Sequence, residues 1–320
     1  MKDTALSLIR GLPIGAVRQE SILFYLKLGY WPDLVSPKTY NEKLNFRKLF
    51  VQDQRCSVCS DKLAVREWVR KRIGEEYLIP LLYSGESITG EELCALGDNI
   101  VAKANHDCMS AEIIRQNSPE IADAAAARLR AKLRVNYGRR TNQFFYSAIK
   151  PMVVVERLLS SGSKPVPDDF KILCFRQPDG SLKKWMDVHE NRNTPEYRIS
   201  FYGDDKRLIP LAGVPNSQNV TTFPCDEQWN HLHRIADALG QEFDHVRVDL
   251  YWVDGKIYFG ELSFCGGGGR SPYSRAGGSP NDLDREIGSY WHMQPGGLGG
   301  TSCDGLCAGR RKLLNYHFDR

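Results

Sequence analysis

The sequence predicts an α+β fold in two lobes. Amphipathic helical segments alternate with short strand-like segments, and several of those strands are joined by tight turns. A tight turn can only join antiparallel neighbours, so antiparallel hairpins are expected in the sheets. The 320 residues fit one large or two modest domains with a real core, and no repeat or coiled-coil pattern interrupts them.

The first 60 residues predict a short, mainly helical region. Residues 39–50 carry apolar side chains at helical spacing, after proline breaks at Pro32 and Pro37. Residues 61–74, DKLAVREWVRKRIG, begin with an N-cap-type aspartate and end in glycine, which predicts the next helix.

The middle of the chain predicts three strands and one helix. Residues 77–83 form a strand-like run that Pro80 confines to an edge or a strand end. Residues 99–104 predict a second strand, and the β-branched run 152–158 predicts a buried central strand. Between them, residues 121–136 are rich in Ala, Leu and Arg and predict a helix.

The second half predicts two hairpins separated by a helix. Residues 170–176 and 182–188 form a hairpin, residues 190–223 read as irregular, and residues 227–239 predict an amphipathic helix. The second hairpin follows at residues 245–263.

Composition excludes several classes of protein. With 43 basic and 39 acidic residues the net charge is +4, too balanced to indicate nucleic-acid binding. Nine cysteines, an odd number without regular spacing, argue against a disulfide framework and for reduced thiols. Neither a signal peptide nor a membrane-spanning run is evident, so we expect a cytoplasmic protein.

The hairpin at residues 245–263 concentrates the polar chemistry. Two alternating strands meet at Asp254-Gly255. Side chains two apart on a strand share a face, so Arg247 and Asp249 point the same way.

The turn decides the position of Glu261, and two registers are open. A two-residue turn pairs Asp249 with Gly260 and sends Glu261 to the opposite face. A three-residue loop with Gly255 as a bulge pairs Arg247 with Glu261 instead, with Asp249 as the diagonal neighbour.

The second register would place Arg247, Asp249, Glu261 and Ser263 in one patch. Half-buried carboxylates this close are costly unless a cation neutralises them, and Mg²⁺ takes one or two carboxylates plus substrate phosphates. The alternative is an ordinary hairpin with Arg247 and Glu261 as an exposed cross-strand ion pair.

Several stretches in this order resemble the TupA-like ATP-grasp family, which is linked to teichuronopeptide and other surface-polysaccharide biosynthesis. They are SPKTYNEKL, DKLAVREWV, GEEYLIPLL, AKANHD, IKPMVVVERLL, DFKILCF, VRVDLY and GKIYFGELSF, from about Ser36 to Trp291. The resemblance implies an ATP-grasp fold, in which two α/β lobes with largely antiparallel sheets enclose the nucleotide. The regions we expect are a helical N-terminal region (1–60), an N-lobe (61–152), a C-lobe with the metal-binding hairpin (153–293) and a Gly-rich tail (294–320).

The resemblance also implies a nucleotide site. Lys103 matches the lysine that touches the phosphates, and Lys62 stands at a second phosphate-side position. Glu156 corresponds to the hinge residue beside the adenine or ribose. Lys171 stands on the ribose or phosphate side, and Arg192 would supply a further phosphate contact.

In the hairpin, the resemblance makes Asp249 and Glu261 the Mg²⁺ ligands, with Ser263 where many ATP-grasp enzymes place a metal-binding asparagine. Arg247 matches the group that neutralises the transferred phosphoryl charge, so the catalytic candidates are Arg247 and Lys103.

Two loops complete the site that the resemblance implies. Cys108 and Met109 stand in a phosphate loop where relatives usually carry glycine, which lets backbone N–H groups approach phosphates. The glycine run 266–269 would leave room on the acceptor side, or it is a flexible linker.

The function this implies is an ATP- and Mg²⁺-dependent carboxylate–amine ligase acting through an acyl-phosphate. It would join an amino acid to a sugar-linked carboxylate or amine, in peripheral association with polysaccharide machinery and without nucleic acid. One alternative is a glycosyltransferase, for which the only Asp-x-Asp is Asp282-Leu-Asp284, outside a strand context. The other, motivated by Cys108-Met109, is a catalytically degenerate ATP-grasp nucleotide-binding scaffold.

Overall fold

The computed structural model describes residues 8–108, 110–160, 164, 166–214 and 225–293. Met109 and the predicted tail 294–320 lie outside these residues. The helices are α1 Ala16–Leu28, α2 Tyr40–Phe50, α3 Gln54–Ser60, α4 Val65–Ile73, α5 Gly90–Ala95, α6 Pro119–Leu133, α7 Tyr137–Thr141, α8 Asp226–Gly240 and α9 Asp282–Tyr290. The strands are β1 Leu81–Gly85, β2 Ile100–Ala104, β3 Glu112–Ile114, β4 Val153–Arg157, β5 Asp168–Arg176, β6 Leu182–Glu190, β7 Arg198–Tyr202, β8 His245–Val253 and β9 Lys256–Ser263. Short 3₁₀ turns lie at Glu75–Tyr77, Phe144–Ala148 and Gly266–Gly269.

The first sheet has four strands in the order β1-β4-β2-β3, all antiparallel. The valines of β4 are buried, and the alanine-rich face of α6 packs close to the sheet, which gives this lobe its own apolar core. The central position predicted for the strand at 152–158 is confirmed. Because β4 pairs with β1 and β2, the first sheet continues past residue 153, where we expected the second lobe to begin.

The second sheet has five antiparallel strands in the order β7-β6-β5-β8-β9, and its two faces differ in chemistry. One face is apolar and packs with the buried face of α8 in the largest core cluster. Burial of each such aliphatic side chain contributes about 1.5–3 kcal/mol, so this face fixes the register. The alternate residues form the opposite face, which has two parts. One part, buried in a second core cluster, is apolar: Leu173, Phe175, Trp185 and Phe201. The other part, called here the polar face, contains Asp169, Lys171, Asp187, His189, Arg247, Asp249, Tyr251, Glu261 and Ser263.

Helix α2 packs against the apolar part of the second sheet and contacts the glycine turn that follows β9. A capping box between Thr39 and Glu42 fixes where α2 begins. Further along α2, the side-chain amide of Asn45 donates to the carbonyl of Gly269 at 2.7 Å, and Lys48 Nζ donates to the carbonyl of Gly268 at 2.8 Å. These bonds hold the 266–269 turn in place.

Two predicted starts are wrong, and one segment predicted to be irregular contains a strand. The helix expected from Asp61 begins at Val65, because Asp61 ends α3 and its side chain accepts from the backbone N–H of Leu63 instead. The strand expected at 77–83 begins only after Pro80, at Leu81. The irregular segment 190–223 contains β7, which pairs with β6.

The hairpin predicted at 170–176 and 182–188 and the helices predicted at 39–50, 121–136 and 227–239 are confirmed, with ends that differ by one to three residues. None of the described helices combines the length and apolar composition needed to cross a bilayer.

Candidate active site

A β-bulge at Gly260 sets the geometry of the second hairpin. The turn is the two-residue Asp254–Gly255 turn, with φ values of 49° and 81°. That turn alone would pair Asp249 with Gly260. Instead the register shifts beyond Asp249, and Asp249 lies opposite Glu261.

Neither predicted register is therefore correct in full. The turn is that of the first register, yet Glu261 shares a face with Asp249 as in the second. Arg247 lies opposite Ser263 rather than Glu261. A glycine suits the bulge because a Cβ there would lie 3.0 Å from the backbone oxygen of Asp249.

Arg247 holds both hairpin carboxylates. Its Nε lies 2.6 Å from Asp249 Oδ1 and its Nη2 lies 2.7 Å from Asp249 Oδ2, a bidentate pair. The same Nη2 lies 3.1 Å from Glu261 Oε1. Lys171 adds a second cation, with Nζ 2.7 Å from Asp249 Oδ2.

These contacts shift the pKa values of the pair. Burial opposes ionisation of Asp249, but Arg247 and Lys171 more than offset it and hold the pKa of that carboxyl below its usual value. Burial likewise opposes the charge of Arg247, and Asp249 and Glu261 more than offset it, so its pKa is raised. Both groups stay ionised at neutral pH.

The polar face also holds an aspartate that we did not predict. Asp169 Oδ2 lies 2.6 Å from Lys171 Nζ and 3.4 Å from Arg192 Nη2. Arg192, a predicted phosphate ligand, also lies 3.2 Å from His189 Nδ1. The sequence spacing could have indicated this aspartate, because Asp169 lies two residues before Lys171 on β5 and therefore shares its face. Asp187 and His189 have the same spacing on β6.

Two carboxylate oxygens on this face have no partner among the described residues. Asp169 Oδ1 and Asp187 Oδ1 are buried and accept no hydrogen bond from any described residue. A buried carboxylate oxygen left unpaired is costly, and such orphaned acceptors indicate a missing donor or cation. The face is therefore suited to a bound ligand that donates hydrogen bonds or carries a cation.

The hairpin residues fit a magnesium ion as a two-carboxylate site. No described group of three or more His, Cys, Asp or Glu side chains could hold a metal alone. Asp249 and Glu261 nonetheless face each other with hard oxygen donors, and Mg²⁺ bound through one or two carboxylates takes its remaining ligands from water and substrate phosphates. Ser263 lies on the same face, one pair along the ladder.

The residues predicted on the first sheet form a separate group. Glu156 is buried, with Oε2 2.6 Å from Lys103 Nζ and Oε1 2.8 Å from Arg66 Nη1. Lys62 Nζ donates to the backbone carbonyl of Asp107. Within the described part of the chain, no hydrogen bond or ion pair joins Lys103 or Glu156 to the hairpin carboxylates.

A cavity of about 580 Å³ adjoins the hairpin. Its walls include Arg247, Glu261, Ser263 and Cys108, so the hairpin and the loop after β2 face the same space. Burial, with Glu261 adding to it, raises the pKa of the Cys108 thiol, which does not favour a thiolate nucleophile.

Part of the predicted acceptor-side glycine run lines the same cavity, at residues 266–268. Gly266 lies against the guanidinium of Arg247: a Cβ at Gly266 would come within 2.8 Å of Nη1. The missing side chain leaves room for the arginine that holds the carboxylates.

The Asp-x-Asp pair that a glycosyltransferase would need is engaged in internal contacts. Asp284 is fully buried and accepts from Tyr30 Oη and from the backbone N–H of Asn41, each at 3.0 Å. Asp282 pairs with Arg275 at 3.1 Å. Both carboxylates therefore connect α9 to the rest of the fold.

Sequence comparison decides the family. The model of the TupA-like ATPgrasp family matches residues 42–292, most of the chain and all of the residues above that contact the hairpin carboxylates. The chain belongs to the TupA-like ATP-grasp family. The resemblance and the ATP-grasp, α+β class predicted from sequence are confirmed.

This TupA-like protein also matches solved structures, at low similarity. D-alanine--D-alanine ligase from Bacillus anthracis is 13% identical, over 82% of this chain and 71% of that one, with a TM-score of 0.37. ATP-grasp ligase PsnB, solved with a phosphomimetic variant of its minimal precursor, Mg and ADP, is 14% identical over 92% and 68%, with a TM-score of 0.37. D-alanyl-alanine synthetase A from Vibrio cholerae is 12% identical over 80% and 66%, with a TM-score of 0.39. No curated protein matches the chain in sequence.

Proposed function

We propose that this TupA-like protein is an ATP-dependent carboxylate–amine ligase. The observation that carries the proposal is Arg247, which holds Asp249 and Glu261 together while lining a cavity large enough for a small substrate. A cation beside two carboxylates at a cavity wall suits phosphoryl transfer, because that chemistry depends on positioning and on neutralising charge.

The proposed roles follow the placement of each side chain. Asp249 and Glu261 would hold Mg²⁺, with Ser263 beside them, and the ion would neutralise charge on the ATP phosphates. Arg247 would neutralise the transferred phosphoryl group through its fork of donors.

The remaining predicted residues would bind the nucleotide. Lys103, Lys62, Lys171 and Arg192 would meet phosphates or ribose. The orphaned oxygen of Asp169 would accept a hydrogen bond from the ribose.

We expected Glu156 beside the adenine or ribose, and its contacts support a further role. Its carboxylate is bound by Lys103 and Arg66, so we propose that it positions the Lys103 ammonium.

The reaction would have two steps. An oxygen of a substrate carboxylate attacks the γ-phosphorus of ATP, the bond to the β,γ-bridging oxygen breaks, and ADP leaves. The nitrogen of an amine then attacks the acyl carbon, inorganic phosphate leaves with the amine's proton, and an amide remains. We propose an amino acid as one substrate and a sugar-linked group of a surface polymer as the other, a choice supported only by the family's association.

The test is ADP release from MgATP with pairs of amino acids and uronic-acid or amino-sugar acceptors. The active-site variant is Asp249→Asn. The matched control is Asp254→Asn, in the turn of the same hairpin, where the positive φ suits asparagine equally well.

The ligase is supported if ADP release needs both a carboxylate and an amine. The release should also persist in Asp254→Asn and be lost in Asp249→Asn. Tight ATP binding without turnover on any pair would favour a nucleotide-binding scaffold instead. A protein that does not bind ATP would overturn the proposal.

A further inference from the structure

Most of the charged side chains that line the cavity from outside the hairpin are basic. Besides Arg247, the cavity is lined by Arg10, Lys132, Arg140 and Arg270, against only two carboxylates, Asp107 and Glu261. The basic side chains come from the N-terminal segment, from α6, from α7 and from the residue after the glycine turn. Segments distant in sequence thus bring cations to one cavity.

One of these cations is already neutralised. Arg270 pairs with Glu20, which is fully buried on α1 and also accepts from Lys48 Nζ at 2.6 Å. That single carboxylate therefore serves two cations.

The other three cations make no direct ion pair with a described carboxylate, although Glu20 lies close enough to Arg10 to act on its charge. Across the described ranges, Arg10, Lys132 and Arg140 form no ion pair, and Arg10 Nε is buried without an acceptor. Burial lowers the pKa of Arg10, partly offset by Glu20, while Arg270 and Arg140 lower it further. Like charges usually spread into solvent, so cations converging on a cavity indicate an anionic ligand.

Two groups of cavity-lining residues suggest the chemistry of that ligand. The first group is the hairpin residues: Arg247 would neutralise the transferred phosphoryl group, so the carboxylate that receives that group would lie beside it. The Arg10, Lys132 and Arg140 group, here called the basic wall, would bind a second oxyanion on the same molecule. A volume of about 580 Å³ has room for both groups.

We propose that the carboxylate substrate carries two oxyanions, the reacting carboxylate at Arg247 and a second carboxylate or a phosphate at the basic wall. The assignment of the reacting carboxylate to Arg247 rests on the proposed ligase function. Binding of a dianion at the basic wall does not depend on that function, so it can be tested without turnover.

The experiment is isothermal titration calorimetry on the full chain, with and without a non-hydrolysable MgATP analogue. The probes are glutarate, pentanoate of equal length with one carboxylate, and 4-phosphonobutyrate. The variants are Arg140→Gln and, as a matched control, Arg139→Gln, the preceding residue of α7, which is exposed like Arg140 but does not line the cavity.

We expect a dianion, glutarate or 4-phosphonobutyrate, to bind at least tenfold more tightly than pentanoate, because it gains a charge-assisted contact. Arg140→Gln should remove most of that preference and Arg139→Gln should keep it. The stronger of the two dianions then identifies the second group as a carboxylate or a phosphate.

Equal binding of glutarate, 4-phosphonobutyrate and pentanoate, or the same loss in both arginine variants, would overturn the proposal. If Arg140→Gln does not fold, two other variants give the same comparison. Arg140→Lys keeps the positive charge at this position, and Lys132→Met removes a different positive charge of the basic wall. Binding of a dianion at the basic wall without ADP release on any substrate pair would overturn the ligase proposal and leave the dianion site supported. ADP release with monoanions and no preference for dianions would overturn the dianion site and leave the ligase supported.

Discussion

Asp249 faces Glu261 across β8 and β9 because Gly260 forms a bulge between them. Without the bulge, the two-residue turn would direct Glu261 to the apolar face of the sheet. The single glycine therefore determines whether a second carboxylate reaches Arg247, and with it the proposed Mg²⁺ site.

We predict that Gly260→Val separates the carboxylates. A Cβ at Gly260 meets the backbone oxygen of Asp249 at 3.0 Å and the ring of Tyr251 at 3.1 Å, so strand β9 must move away. We expect a loss of about 1–3 kcal/mol in the free energy of unfolding and a loss of ATP-dependent ADP release.

Gly255→Ala is the matched control for this variant. It strains the turn of the same hairpin, where φ is 81°, by about 1 kcal/mol, but leaves the bulge intact. Chemical denaturation and ADP release are measured on both. If Gly255→Ala loses as much ADP release as Gly260→Val, the bulge is not the cause.

We predict that Gly266→Ala impairs activity more than stability. The new Cβ would meet the guanidinium of Arg247, the far end of a flexible side chain, which can move at low cost but then leaves Asp249 and Glu261. ADP release should fall at least tenfold while the melting temperature changes little.

Gly11→Ala serves as the control for Gly266→Ala, because nothing lies within 4 Å of the added Cβ. A large fall in melting temperature with normal ADP release in Gly266→Ala would contradict the role given to Arg247.

We predict that Glu156→Gln destabilises the first lobe. Removing the carboxylate leaves Lys103 and Arg66 facing each other without a counter-ion, which for a buried pair typically costs about 3–5 kcal/mol. The Lys103 ammonium would also lose its fixed position, so the KM for ATP should rise.

A double-mutant cycle with Lys103→Met measures the coupling. Urea denaturation of the two single variants and the double variant should show the double variant to be less destabilised than the sum of the singles. Additive effects would mean that Glu156 does not position Lys103.

The sequence was sufficient for features that depend on local pattern. Strand alternation correctly placed Arg247 and Asp249 on one face, and the β-branched run correctly predicted the central strand β4. It was insufficient where pairing is non-local. Lys171 reaches Asp249 only because β5 pairs with β8, 78 residues away along the chain.

The bulge and the partner of Glu156 show the same limit. Gly260 looks like any strand glycine, and only the competition between the Asp254–Gly255 turn and burial of the apolar face selects a bulge there. Arg66 lies on a helix 90 residues before Glu156, so no sequence spacing could connect them. β7 was missed because its five residues lie in a long polar segment and pair only through β6.

We predict that Asp284 gives the stability of the fold a pH dependence of unusual sign. Burial raises the pKa of this carboxyl to about 6, although hydrogen bonds from Asn41 and Tyr30 favour the charged form. In the unfolded chain the same group titrates near pH 4. Between these values the folded protein binds more protons, so the contribution of Asp284 falls as pH rises from about 4 to 6 and is constant above that.

The variant Asp284→Asn should remove this slope. Compared with the wild type, its free energy of unfolding should be larger at pH 7 than at pH 4, by on the order of 2–3 kcal/mol before any lost hydrogen bond is counted. Asp282→Asn is the control of opposite sign. Burial opposes ionisation of Asp282, but bonds from Arg275 more than offset it and lower its pKa, so its contribution is present above pH 4 and lost on acidification. Urea denaturation of the three proteins at pH 4, 5, 6 and 7 decides the matter. Because only a raised pKa makes the wild type lose stability relative to Asp284→Asn as pH rises, parallel curves for those two would show that Asp284 titrates normally.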